Sequence, residues 1–341
     1  MKKIAFVYTE YQQNILLAIC LQQQIRLDMV FIRNNINVHK KLHQFSKKVL
    51  EFDDIPYSWK TIFKFYNEYR SIVHSTLNIH EAYMIFTWSI EHPMVRFAIN
   101  NLEDKQIHLL EDGTGSYLKD DIRYKGWHHL LLTRVISSIV DIMSFQILPY
   151  DKVHLEGWSL YDNCFPSFQI KHNLLDHSYF QRSMMNFSNN DQVVQLKKGS
   201  IVFIQQPYVE MNILSDEEYI HIHIEALAKI KKRSANDTII WKLHPRTCIE
   251  KEYKRIDQIK KRSDIEFQIV HSQGNMEQIA YNNVENRIQY FSLGSSSLYV
   301  ILALLPNAKN IYLIESEILK KKLYTQIEIN DLYRSIGIEL I

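Results

Sequence analysis

A chain of 341 residues, 46% of them hydrophobic and 23% charged, is long enough for two domains with separate cores and is neither disordered nor fibrous in composition. Forty Lys and Arg against 38 Asp and Glu leave a formal charge of +2, which excludes a global field for nucleic acid. Three scattered cysteines, Cys20, Cys164 and Cys248, form no CxxC pair and exclude a disulfide framework or zinc knuckle, and no window approaches the apolar length of a membrane span.

In chain order, residues 4–9 read as a strand, 11–25 as an amphipathic helix and 27–32 as a second strand. That spacing is a βαβ unit with a right-handed connection. The opening lysines and apolar run resemble a signal peptide only until Thr9, Glu10, Gln12 and Gln13 interrupt it. Helical patterns follow over 38–50 and 59–69, then an apolar strand over 82–87 and a helix that enters through Pro93. A strand over 106–110 leads into Glu111, Asp112, Gly113, Thr114 and Gly115. A helix over 128–145 and a short strand over 152–155 complete a first domain, residues 1–160. Periodicity then fails, and 161–199 is expected to be an irregular connection. Strands over 201–204, 238–243, 265–270, 287–291 and 311–314 alternate with helices in a second domain, residues 200–341. Ser215, Asp216, Glu217 and Glu218 form a capping box at the first of those helices. The expected class is α/β, with two Rossmann-like domains facing across a cleft and ligands at the carboxyl ends of both sheets.

Polar clusters fall where strands end. Gly113 and Gly115 suit a tight turn with positive φ or close backbone approach, so a carboxylate is presented at a strand terminus. Such a group is either a general base or, more simply, a turn cap beside a solvated acid. Lys242-Leu243-His244-Pro245 ends another strand. Pro245 holds His244 extended, where its ring can donate to a phosphate oxygen, pass a proton, or simply cap a turn. Gly294 with Ser295, Ser296 and Ser297 lies between a strand and a helix, an anion site or an ordinary cap. The chain lacks GxxxxGK[ST] and GxGxxG, so no ATPase or dinucleotide motif is present. Asp120-Asp121 lacks metal-ligand spacing, while His221 and His223 sit on different helix faces. Trp88 and Ser89 end a strand that could touch an acceptor or pack in the core. The lysines at 40, 41, 47 and 48 and at 320–322 suit solvated helix faces or an anionic membrane surface.

Glu111-Asp112-Gly113, His244-Pro245 and Ser295-Ser296-Ser297, in that order and at those strand ends, resemble the motif set of bacterial sialyltransferases, glycosyltransferase family 52 of the lipooligosaccharide type. Bacterial polysialyltransferases share the same three motifs, and Gln206-Pro207 and Lys242 are weaker supports. The resemblance implies a two-domain GT-B fold and inverting transfer of N-acetylneuraminic acid from its CMP conjugate to a terminal sugar of a bacterial surface glycan, galactose of lipopolysaccharide or capsule. It makes Glu111 the base and Asp112 its helper or a structural carboxylate. His244 and the serines hold the donor phosphate, Pro245 shapes the cytidine pocket, and Gln206, Lys242 and Glu277 join the donor site. A single phosphate asks for less neutralisation than a diphosphate, so no metal or other cofactor is expected. The implied partners are the CMP-sugar and a glycolipid acceptor, with no nucleic acid. A homodimer and contact with the cytoplasmic face of the inner membrane are left open for a cytoplasmic chain. Two alternatives compete: another GT-B transferase, polysialyl- or with a different nucleotide sugar, and a catalytically silent binding protein that keeps the fold.

Overall fold

Runs such as Ile4-Ala5-Phe6-Val7 and Ile201-Val202-Phe203-Ile204 are apolar on every residue, as strands covered on both faces must be. A computed structural model of the protein describes residues 1–34, 36–53, 62–90, 92–119, 135, 154–184, 195–234, 238–244, 247–270, 276–323 and 325–341. The chain divides into two compact units, Met1–Asn186 and Phe187–Ile341.

In the first unit the strands are β1 (Lys2–Val7), β2 (Met29–Arg33), β3 (Val49–Phe52), β4 (Ala82–Thr87), β5 (Asp104–Leu110), β6 (His154–Ser159) and β7 (Lys171–Leu174). Its helices are α1 (Glu10–Gln23), α2 (Lys40–Phe45), α3 (Ile62–Thr76), α4 (Pro93–Asn101) and α5 (His177–Met184). All seven strands are parallel in the order β3-β2-β1-β4-β5-β6-β7. The order reverses between β1 and β4, so the crevice at their carboxyl ends is the ligand position of a doubly wound sheet. The core joins sheet residues such as Ile4, Phe6, Phe31 and Ile85 to Met94, Val95 and Ala98 of α4.

The second unit has β8 (Ile201–Ile204), β9 (Ile239–Lys242), β10 (Phe267–Val270), β11 (Gln289–Ser292), β12 (Ile311–Leu313) and β13 (Glu339–Leu340). Between them run α6 (Asp216–Arg233), α7 (Ile249–Ser263), α8 (Met276–Asn282), α9 (Ser297–Leu304), α10 (Glu317–Lys322) and α11 (Gln326–Ser335). The parallel order β10-β9-β8-β11-β12-β13 repeats the winding of the first sheet, with the reversal between β8 and β11. Ser215 accepts from Glu218 N–H and caps α6 as its sequence predicts.

Several elements differ from expectation. Helix 38–50 is cut to α2, because Val49–Phe52 pairs with β2 as an edge strand. The stretch 161–199 is not wholly irregular: β7 adds to β6, and α5 packs on α1. That second cover buries α1 from Gln12 to Cys20, so the helix is not amphipathic. The helix expected over 128–145 lies, except for Val135, outside the described residues, as do Asp120 and Asp121. His221 faces solvent beside Glu225 while His223 is buried against Trp241, on different faces as their spacing requires. Lys320 and Lys322 are paired with Glu315, Glu317 and Glu218, so this basic run is balanced in place. No helix among the described residues is long and apolar enough to cross a membrane.

Candidate active site

Glu111 follows β5 directly and its N–H continues the ladder to the Trp158 carbonyl at 3.0 Å. The side chain is 0% exposed, which removes the solvated-acid alternative. Its Oε1 accepts from Tyr11 Oη at 2.5 Å, and its Oε2 accepts from Tyr117 Oη and Leu160 N–H, both at 2.7 Å. A carboxylate can be buried only when its lone pairs are met, and these three donors meet them. The charge acts back on the cradle: burial first, and then Glu111 itself, raise the Tyr161 phenol well above its ordinary value. Asp112 is half-buried, accepts from Gln12 Nε2 at 2.6 Å and donates its N–H to Ser116 Oγ at 2.8 Å. Of the two glycines, Gly113 takes a positive φ of 89°, whereas Gly115 lies within the 3-10 turn Thr114–Tyr117. Trp88 is 9% exposed and packs with Tyr8 and His92, a core position at the end of β4.

In the second unit the ends of three strands, β8, β9 and β11, bring the other motifs together. Gln205, 0% exposed at the end of β8, accepts on Oε1 from His244 N–H at 2.8 Å and Thr247 Oγ1 at 3.3 Å. Its Nε2 donates to Tyr219 Oη at 2.8 Å, and Tyr219 Oη donates to Glu252 at 2.7 Å. Arg255 closes this buried chain on Glu252, Glu210 and Asp216. Burial raises the Glu252 carboxyl even though Tyr219 and Arg255 oppose it. The turn bearing His244 is thus fixed through its backbone by the buried Gln205, which Tyr219 and Glu252 hold in turn. Pro245 lies outside the described residues. Gln206, the weaker motif residue, is half-buried, and its carbonyl accepts Tyr208 N–H; the partner of His244 is its neighbour Gln205.

The three serines separate. Ser295 is 3% exposed and its Oγ accepts Ser297 N–H, while Ser297 Oγ donates to Glu277 Oε1 at 2.7 Å. Ser296 is exposed at the start of α9, and its hydroxyl makes no capping bond. Of the three hydroxyls it is the exposed one, at a helix N-terminus. Ser292 bridges the switch point by donating to the Ile204 carbonyl at 2.8 Å and accepting from Gly294 and Ser295 N–H. Lys242 is 5% exposed with Nζ on the Leu243 carbonyl; burial lowers its pKa and Glu277 pulls it up. Among the described residues no group of three or more His, Cys, Asp and Glu side chains is placed to hold a metal ion.

Gly294 is required by close approach. A Cβ there would lie 2.8 Å from the buried Tyr208 Oη, on a backbone with φ of 157°. Gly294→Ala is expected to cost about 1–3 kcal/mol and to weaken nucleotide binding with it, because the displaced loop carries Ser296. Urea unfolding and calorimetry on the same preparation check both effects; an alanine variant of unchanged stability would show that Tyr208 yields freely.

Sequence reading missed Tyr11, Tyr117, Gln205 and Ser292. Tyr117 is six residues beyond Glu111 and Ser292 two before Gly294, near enough to have been weighed, whereas Tyr11 and Gln205 meet their partners only through the fold.

Comparison with solved structures places the fold. A UDP-GlcNAc 2-epimerase from Methanocaldococcus jannaschii, in complex with UDP-GlcNAc and UDP, is similar over 96% of this chain and 92% of its own, at 13% identity and a TM-score of 0.52. A protein from Listeria monocytogenes assigned as a UDP-N-acetylglucosamine 2-epimerase covers 99% of this chain and 91% of its own, at 10% identity and a TM-score of 0.53. At such identity the likeness is one of fold, and that fold is GT-B. No curated protein matches the chain in sequence. The sequence model of the alpha-2,8-polysialyltransferase family matches residues 4–315 and so takes in Glu111-Asp112-Gly113, His244 and all three serines. With its motifs inside that span and on the strand ends of two parallel sheets, the chain is a glycosyltransferase that belongs to the alpha-2,8-polysialyltransferase family.

Proposed function

We propose that the protein transfers N-acetylneuraminic acid, with inversion, from CMP-N-acetylneuraminic acid to the terminal sugar of a bacterial surface glycan, without a metal. The observation that carries this reading is the gathering of His244, Gln205, Ser292 and Ser296 at the carboxyl edge around the β8/β11 reversal, where a nucleotide phosphate is bound in such sheets. As the bond from the anomeric carbon to the phosphate oxygen breaks, negative charge grows on CMP. His244, the Ser296 hydroxyl and the N-terminus of α9 are donors for that charge, each worth roughly 3–4 kcal/mol in comparable oxyanion sites. Glu277, fixed by Ser297, is the group for the ribose hydroxyls. Glu111 removes the acceptor proton and Asp112 supports its turn. The family match supports a second reading beside the galactose acceptor, in which the terminal sugar is itself a sialic acid and the reaction extends a chain.

A thermal-shift panel in excess EDTA tests the donor. CMP is expected to raise the melting temperature more than UDP, GDP or ADP at equal concentration, by the mass-action stabilisation of a bound ligand. Equal shifts, or a CMP shift that requires added Mg²⁺ or Mn²⁺, would count against the assignment.

A further inference from the structure

A general base must be reached by the proton it takes, yet Glu111 has no exposed surface. Each of its oxygens is already covered: Oε2 by Tyr117 Oη and Leu160 N–H, and Oε1 by Tyr11 Oη. The two phenols differ in placement. Tyr117, in the turn after β5, also accepts Tyr161 N–H on its Oη at 3.2 Å. Tyr11, half-buried as Tyr117 is, lies in the first turn of α1, just after β1 and beside the β1/β4 reversal where a doubly wound sheet takes its ligand. Its ring is steadied by Phe180 of α5, with centroids 6.2 Å apart.

We infer that Tyr11 is a catalytic proton relay: the acceptor hydroxyl gives its proton to Tyr11 Oη while the phenolic proton of Tyr11 passes to Glu111 Oε1. This inference rests on Glu111 as the base. In the same step the acceptor oxygen uses its electron pair to bond the anomeric carbon, and the carbon–oxygen bond to the donor phosphate breaks with its pair leaving on CMP. One proton has moved from the acceptor to Glu111, Tyr11 is regenerated as a phenol, and no free phenolate builds up. A hydrogen-bonded phenol thus passes a proton to a base that burial keeps out of water.

Single-turnover rates of wild type, Tyr11→Phe and Glu111→Gln test it, with donor affinity by calorimetry and proton inventories in H₂O/D₂O mixtures. Tyr11→Phe keeps the ring against Phe180 and is expected to fold, bind CMP as wild type does and transfer about 10²-fold more slowly. The wild-type inventory should be bowl-shaped, for two protons in flight, and the residual rate of Tyr11→Phe should follow a line. A linear wild-type inventory overturns the relay without any variant. So does Tyr11→Phe within threefold of wild type, or a slowed variant that keeps the bowl and has lost only the placement of Glu111. If Glu111→Gln is slow in these cases, the base assignment stands and the relay alone falls; if Glu111→Gln is as fast as wild type, the base assignment falls first.

Discussion

Glu111→Gln is expected to leave CMP affinity near wild type, to lower the melting temperature only modestly and to slow transfer by about two to four orders of magnitude, the usual worth of general-base catalysis. The amide keeps the size of the carboxylate, and with its oxygen at the Oε2 position it can still accept from Tyr117 and Leu160 N–H, so the cradle loses charge more than contact. One cradle oxygen becomes an NH₂ facing a donor, and the fold will register that mismatch as a modest loss of stability. Asp112→Asn is the control. Asp112 accepts from Gln12, an interaction an amide can retain, and its effect on rate should be several-fold smaller. Initial rates and calorimetry on one folded preparation separate catalysis from folding. Transfer by Glu111→Gln at near wild-type rate would move the base elsewhere and leave Glu111 as the anchor of a turn.

The second large effect is expected from His244→Ala. The backbone of His244 is held by Gln205 and Thr247, so removing the ring should spare the turn and the melting temperature. Both ground-state nucleotide binding and transfer should suffer, transfer more, because the phosphate contact strengthens as charge develops. Loss of roughly 3–4 kcal/mol of transition-state stabilisation corresponds to two to three orders of magnitude in kcat/KM. Unchanged kinetics would return His244 to the role of a turn residue and require another donor beside Ser296.

The parts of the fold visible in the sequence are those set by local pattern. Apolar runs marked β1, β4 and β8 within a residue or two, and the Ser215 capping box marked the start of α6. β3 was hidden because Val49–Phe52 continues the lysine-rich helical spacing before it; only the backbone of β2 gives it a strand partner. β7 was hidden because its residues, Lys171–Leu174, are polar or exposed and read as connection. At the site, the carboxyl-end motifs were legible as chemistry, whereas their supports were not. Tyr11 lies a hundred residues from Glu111, and Gln205 lies 39 from His244. Nor could spacing tell apart consecutive serines, whose hydroxyls only the fold gives different partners.

Each unit is one unbroken segment of chain, with the division at Asn186 and Phe187. A ribosome therefore completes every strand of the first sheet before it begins the second, and the first core can close during synthesis. The same division gives recombination a natural seam. Under the assignment of base to one segment and nucleotide site to the other, a crossover near residue 186 exchanges donor recognition while leaving the acceptor side intact. Chimeric chains joined there inherit two finished sheets, so enzymes built this way can diversify by trading halves as well as by point substitution.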